Sequence, residues 1–337
     1  MMPRAPLRIG ILSLAHVHAD GYARLLLERP DVRFVGVSDD DPQRGARAEQ
    51  AFGVRWFARH EDLLAEGLDG VLICSENALH RAHVALAAAA GAHVLCEKPI
   101  ATTLEDAEAM RAACARAGVR FMTAFPMRFD ASVRAAKDLL ARGDLGELYA
   151  VNGINHSENP RGHRAWFAQR DLAGGGAVMD HTVHLVDLLR WYTGSEVREV
   201  YAEVANPFDP EVDVDTAGIV TLTFGSGLFA AVDCSWSRPA GIYPRWGHLK
   251  MELVGARGVV SVDAFGQYAT RFGGTASRPV TWHNWGSDPN RAMLAAFLES
   301  VREAQEPPVT WRDGYEALKV ALACYASAAR AQPVALG

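Results

Sequence analysis

An aspartate and a histidine four residues apart on a helix share one face, about one turn from each other. The stretch Gly174-Gly175-Gly176-Ala177-Val178-Met179-Asp180-His181-Thr182-Val183-His184-Leu185-Val186-Asp187 holds such a pair, Asp180 and His184. Imidazole titrates near neutral pH, so His184 can take a hydroxyl proton while a hydride leaves the same carbon. A carboxylate at Asp180 can orient that ring and stabilise its protonated form. Asp187 extends the stripe on a helix otherwise made of Val, Leu and Met, where titratable groups are costly unless satisfied. It either supports the helix or serves the site. A further group is Lys98, just past an apolar strand in Gly91-Ala92-His93-Val94-Leu95-Cys96-Glu97-Lys98-Pro99. Its ammonium can hydrogen-bond a reacting oxygen and steady a developing alkoxide.

Other groups sort themselves by spacing. His181-x-x-His184 can bring two imidazoles together, but no thiolate or carboxylate cluster completes a metal site, so no metal is expected. His16 and His18 suit contact with a substrate or a pyrophosphate better. Arg164 and Trp166-Phe167 precede the glycine turn and either wall a substrate pocket or pack in the core. His156, Arg164, Trp166, His181, His184 and Lys98 are the candidate substrate contacts.

The elements that must position these groups fall into two rhythms. In residues 1–125, the strands Leu7–Leu12, Val32–Ser38, Gly70–Ser75, His93–Cys96 and Val119–Phe125 alternate with the helices Val17–Arg29, Pro42–Phe52, Ala78–Ala90 and Leu104–Ala117. Strands apolar throughout, such as GVLIC, belong to a parallel sheet covered on both faces. That is a doubly wound (Rossmann) sheet, whose ligand sits at the carboxyl ends of its strands. Residues 126–337 begin with a helix (Asp130–Arg142), a strand (Glu147–Asn155) and the apolar helix Ala177–Tyr192. Alternating strands follow at Glu199–Val204, Ala217–Phe224, Leu228–Ser235, Gly247–Val254 and Gly258–Asp263. Short turns between them predict an α+β domain with a large open, mainly antiparallel sheet. Closing helices are expected near Asn290–Ala304 and Gly314–Ala329, the terminal one free to pack back on the first domain. The cleft between the halves is the default active site.

The first strand of a dinucleotide fold ends in a glycine-rich turn that lets amides approach a pyrophosphate. Here Ser13 and Ala15 stand at two of the glycine positions and His18 at the third. The second strand ends in Ser38-Asp39-Asp40-Asp41-Pro42. An acid there accepts hydrogen bonds from the ribose and repels a 2′-phosphate, which favours NAD over NADP, with Asp39 in that role. Asp40 and Asp41 also suit capping of the Pro42 helix.

Composition bounds the rest. The 337 residues are about half apolar and carry a net charge of −6, with arginines scattered among acids. Neither a nucleic-acid footprint nor an anionic-membrane surface is expected. The five cysteines lie far apart, and Cys74 and Cys96 sit in apolar strands as small hydrophobes. With no signal peptide recognised in MMPRAPLRIGIL, a reduced, cytoplasmic protein is expected.

The Glu97-Lys98-Pro99 segment, preceded by Glu76-Asn77-Ala78-Leu79-His80, and the Asp180-x-x-x-His184 segment in this order resemble the Gfo/Idh/MocA oxidoreductases, over essentially the whole chain. The resemblance implies an N-terminal NAD(P) domain and a C-terminal domain whose open sheet mediates a homodimer or homotetramer. It makes Lys98 the catalytic lysine and Asp180 and His184 the acid/base pair. It places cofactor contacts at Ser13, Ala15, His16, Val17, Asp39, Ser75, Asn77, His80, Glu97, Lys98, Pro99 and Arg128. Phe125-Pro126-Met127-Arg128-Phe129 departs from relatives that carry Asn or Tyr before Arg-Phe. The activity implied is NAD-dependent hydride transfer at a secondary alcohol or carbonyl of a sugar, cyclic polyol or related compound. Two alternatives stand beside it: redox-assisted glycoside cleavage or elimination, and a non-catalytic cofactor or sugar sensor.

Overall fold

The computed structural model describes residues 5–241, 243, 247–275, 278–284 and 286–337. The chain forms two compact units: residues 1–125 with 290–315, and residues 126–289 with 316–337. The first unit closes with residues 290–315, and the second with residues 316–337.

In the first unit, six parallel strands run β1 (Leu7–Leu12), β2 (Val32–Ser38), β3 (Arg55–Phe57), β4 (Gly70–Ile73), β5 (His93–Cys96) and β6 (Phe121–Thr123). Their order across the sheet is β3-β2-β1-β4-β5-β6, so the winding reverses between β1 and β4. That reversal is the switch point where open α/β sheets bind ligands, beyond the carboxyl ends of the strands. Ile9, Ile11, Leu72 and Ile73 are fully buried, as expected for strands covered on both faces. The Pro42–Phe52 helix starts where Asp41 Oδ1 accepts the Gln43 and Arg44 amides at 2.8 and 3.3 Å. The returning segment is tied in by Trp311 Nε1, which donates to the Ala107 carbonyl, and by Phe297, fully buried close to Gly70.

The second unit is built on β7 (Leu148–Glu158), β8 (Val197–Ala205), β9 (Ala217–Phe224), β10 (Phe229–Arg238), β11 (Gly247–Gly255), β12 (Gly258–Asp263), the hairpin β13 (Tyr268–Thr275) and β14 (Arg278–Asn284), and β15 (Val334–Ala335). Seven of these form one sheet in the order β12-β11-β7-β10-β9-β8-β15. Only the β7–β10 pair in it is parallel. Along β10, Ala230, Val232, Cys234 and Trp236 are buried, while Phe229 is 56% exposed on the opposite face. The buried face packs against the Ala177–Thr193 helix, with Leu185 in contact range of Gly153 on β7. Among the described residues no helix is long and apolar enough to cross a membrane.

Candidate active site

At the carboxyl end of β1 the chain turns through Ser13, whose φ of 63° lies in the left-handed region. Here a serine adopts what a glycine-rich turn would supply more cheaply. The amides of this turn donate inward: Ser13 to the Ser38 carbonyl, Leu14 to Asp39 Oδ2 at 2.6 Å, Ala15 to Ser13 Oγ and His16 to the Cys74 carbonyl. The His18 amide donates to His16 Nδ1 at 3.2 Å. Val17 lies in the same turn and is half-buried.

Asp39 is fully buried. Besides Leu14, its oxygens accept the Asp41 amide at 2.8 Å and the Arg44 guanidinium at 3.0 and 3.1 Å. This carboxylate fastens the β1 turn to the β2 turn, at the end of β2 where the sequence reading sets the ribose contact. Its neighbour Asp40 has a side chain 85% exposed. Arg44 also faces Asp40, Asp41 and Glu76 at 3.4, 3.8 and 3.8 Å.

Further along the carboxyl edge, Ser75 is fully buried and its Oγ has no hydrogen-bond partner among the described residues. A buried hydroxyl at that edge, beside a left-handed turn, is what a bound nucleotide would satisfy, so these residues fit the cofactor. Asn77 is 4% exposed and opens a short 3-10 turn. His80, fully buried, sets Nδ1 3.1 Å from the Pro99 and Ile100 carbonyls and Nε2 3.3 Å from that of Ser75. It thereby bridges the β4 end to the Lys98–Pro99 segment, whose peptide is cis. Lys98 is 4% exposed. Glu97 is buried, which opposes its ionisation, yet the charges of His16 and His18 and the His18 hydrogen bond hold its pKa well below the usual carboxylate range.

In the second unit, three glycines lead into the Ala177–Thr193 helix. A Cβ at Gly176 would overlap the Asp215 carbonyl, and one at Gly175 the Tyr325 hydroxyl. The helix N-terminus is closed by protein groups: Asp215 accepts the Gly176 and Val178 amides at 2.8 and 2.7 Å, and Tyr325 Oη accepts the Met179 amide at 3.1 Å. The Tyr325 hydroxyl donates in turn to Asp215 Oδ1 at 2.7 Å.

This anchored helix presents Asp180. Its Oδ2 accepts the Trp236 indole N–H at 3.3 Å and lies 3.2 Å from His181 Nε2. That same nitrogen lies 3.2 Å from Ser157 Oγ. His184 follows one turn later, partly exposed. Asp187 is bound bidentately by Arg128 at 2.8 and 2.6 Å, both side chains buried. Arg128, read as a cofactor contact, thus neutralises the third acid of the stripe, and Asp187 takes the supporting role.

His156 is separated from this set by strand alternation. Asn155 and Ser157 of β7 face the helix, donating to the His181 carbonyl and meeting the His181 ring. His156 points to the other face, where it meets Asp233 at 3.0 Å, Arg238 at 2.9 Å and the His248 ring. Trp166 is 6% exposed and stacks on Phe167, a packed position, and Arg164 donates to the His163 carbonyl. Trp236, Asp215, Tyr325 and Ser157 were not read from the sequence. Period-two alternation along β10 puts Trp236 on the helix-facing side, but nothing local links Asp215 to Tyr325.

The six-stranded sheet with its switch point defines a dinucleotide-binding fold, and Lys98, Asp180 and His184 are the candidate chemical groups of the two units. The model of the oxidoreductase family with an NAD-binding Rossmann fold matches residues 7–125, and that of the GFO/IDH/MocA C-terminal domain matches residues 133–261. A D-xylose 1-dehydrogenase (NADP(+)) of Haloferax volcanii is 31% identical, covering 86% of this chain and 88% of the relative. A myo-inositol 2-dehydrogenase of Thermotoga maritima is 27% identical over 93% of each. The crystal structure of GenD2 from gentamicin A biosynthesis in complex with NAD superposes with a TM-score of 0.89 at 24% identity, covering 100% of this chain and 99% of that one, a likeness of fold. The chain belongs to the Gfo/Idh/MocA oxidoreductase family and is an NAD(P)-dependent oxidoreductase acting on CH–OH groups.

Proposed function

We propose that this protein oxidises a secondary alcohol of a sugar or cyclic polyol, or reduces the matching carbonyl, with NAD as the preferred cofactor. The observation that carries this is Asp180, whose carboxylate is fixed by Trp236 and His181 one turn before His184. His184 takes the hydroxyl proton, and Asp180 stabilises the imidazolium that results. Lys98 steadies the alkoxide by hydrogen bonding. Bound nicotinamide supplies the hydride acceptor. The Ser13–His18 turn, Ser75, Asn77 and the Glu97–Pro99 segment are the groups assigned to hold it. The sugar and polyol class rests on that chemistry and on relatives named for inositol and xylose oxidation.

The preference for NAD rests on charge. Four carboxylates, Asp39, Asp40, Asp41 and Glu76, surround the single Arg44 guanidinium, so a 2′-phosphate there meets a net negative field. Asp39 is assigned the ribose contact, with Asp40 the exposed acid beside it. A homodimer or homotetramer through the outer face of the seven-stranded sheet is assigned on the exposure of Ile219 and Phe229, each more than half open.

The test combines turnover with cofactor binding. His184→Ala and Lys98→Met are each expected to lower kcat by a factor of about 10³, with NAD affinity by fluorescence titration nearly unchanged. Full activity in either variant rejects its assignment. NAD is expected to bind more tightly than NADP, and Asp40→Ala to narrow that difference; equal affinities in the unaltered protein reject the preference. Net NADH accumulation with a polyol panel distinguishes oxidation from a cyclic redox route.

A further inference from the structure

Glycine-rich turns hold a pyrophosphate with free main-chain amides at the start of a helix. The Ser13–His18 turn has already engaged such amides. Ser13 donates to the Ser38 carbonyl, Leu14 to Asp39, Ala15 to Ser13 Oγ, His16 to the Cys74 carbonyl and His18 to His16 Nδ1. An anion placed there needs its charge met by a side chain. His18 stands in position, just before the Ala19–Leu27 helix, with a side chain 29% exposed. Behind it lies Glu97, 1% exposed, with Oε1 2.9 Å from His18 Nδ1. We propose that His18, with Glu97 as its counter-charge, is the cation that holds the pyrophosphate of the cofactor, so that cofactor binding takes up a proton. This rests on the assignment of the turn to the nucleotide.

The hydrogen bonds decide which nitrogen does what. Glu97 Oε1 also accepts the Tyr22 hydroxyl at 2.7 Å, and Oε2 accepts the Lys98 amide at 3.1 Å. Burial opposes ionisation of Glu97, but the charges of His16 and His18 and the His18 hydrogen bond keep it acidic. An ionised carboxylate only accepts, so His18 Nδ1 carries a hydrogen and Nε2 is the nitrogen left for a ligand. A phosphate oxygen also only accepts, which calls for a second proton on the ring, at Nε2. The contact that results is charge-assisted and stronger than a neutral one. His16 does not share the task, because its Nδ1 accepts the His18 amide at 3.2 Å and its side chain is 1% exposed.

Two fields act on the His18 ring in opposite directions. The helix start places roughly half a positive charge beside it, which disfavours a cation. Glu97 places a whole negative charge in direct contact and outweighs it. The other titratable neighbours are His16 in the turn, Tyr22 and Asp20 on the helix, and Lys98 beyond Glu97; Asp20 is paired with Arg47 at 3.3 Å. A ligand that binds the protonated ring alone draws the proton in with it, by linkage. The next strand end agrees: Cys74, which accepts the His16 amide, precedes Ser75, whose buried hydroxyl has no partner among the described residues. Local spacing hid the arrangement, because Glu97 arrives 79 residues after His18.

The experiment uses the full chain and two probes, NAD and ADP-ribose, the latter keeping the pyrophosphate without the nicotinamide. Binding is followed by calorimetry from about pH 6 to about pH 9, a range that brackets imidazole titration, in pairs of buffers with different heats of ionisation. Both probes are expected to bind about tenfold or more weakly at the upper end, with uptake approaching about one proton where affinity changes most steeply. His18→Ala is expected to weaken NAD about 10- to 100-fold at the lower pH and to abolish proton uptake, with the near-UV circular dichroism of the parent retained. His18→Gln, a donor without charge, should recover part of that affinity and none of the uptake. Affinity independent of pH in the parent overturns the proposal, as does a pH dependence that survives in His18→Ala or is absent for ADP-ribose. NADH formation with a polyol is assayed separately at saturating NAD. Turnover with pH-independent NAD binding rejects this inference alone, whereas failure of NAD to bind rejects it together with the nucleotide assignment.

Discussion

The turn before the Ala19–Leu27 helix and the turn before the Ala177–Thr193 helix invert the usual expectation for glycine. The first lies where a dinucleotide fold favours glycines and has none, running Ser13-Leu14-Ala15-His16-Val17-His18. The second has three in a row, and its nearest neighbours are Asp215 and Tyr325 of the same unit. In the first, a left-handed serine and inward-facing amides do the work of shape, with the His16 imidazole buried and that of His18 partly exposed. In the second, glycine is demanded because a carbonyl and a phenol press against the backbone. Glycine density therefore marks close approach to the main chain, whatever approaches it.

Substitutions can break or sharpen that contrast. Gly176→Ala should have the largest effect, since its methyl group would overlap the Asp215 carbonyl. A loss of roughly 3–5 kcal/mol is expected in denaturant unfolding; a change under about 1 kcal/mol would show that the turn yields. Next comes the imidazole-rich first unit under acid. Burial, then the charges of His60 and His80, push the His83 imidazole down to about 3. An unfolded chain takes that proton near pH 6.5, so the folded state is at full stability above 6.5 and loses it as pH falls toward 3. His83 Nδ1 has no hydrogen-bond partner among the described residues. His83→Leu should therefore flatten the acid slope, by about 2–3 kcal/mol at pH 4; an unchanged slope removes His83 as its source.

Tyr325→Phe removes the hydroxyl shared by Asp215 and the Met179 amide. It should cost about 1–2 kcal/mol and lower kcat more than it raises KM, because the helix it anchors carries Asp180 and His184. Ser13→Gly should do least. Relief of the left-handed serine is offset by loss of its contacts to the Ala15 amide and Asp39, leaving a net change within about 0.5 kcal/mol.

Much of the fold was legible because its signals are local. The strands Leu7–Leu12, Val32–Ser38 and His93–Cys96 have the bounds that their apolar runs indicate, and the Pro42 helix begins at its aspartate cap. Arg55–Phe57 escaped notice because three residues carry no periodicity, and the β13–β14 hairpin because threonine, arginine and glycine give no alternating pattern. The Asp180–His184 pair was visible as a spacing along one helix. Its support by Trp236 was not, since 56 residues separate them. Asp39 and Arg128 show the limit from the other side. Each has the right residue type for a ligand contact, and sequence spacing did not show the ion pair with Arg44 or Asp187 that also holds it.

The first unit draws on residues 290–315 for completion, with Trp311 reaching Ala107 and Phe297 lying under Gly70. A fragment ending at Phe125 would leave those surfaces bare to water. During synthesis, residues 7–125 must wait for a stretch translated well after them. Gene fusions that transplant the nucleotide-binding half therefore need to carry both stretches of sequence.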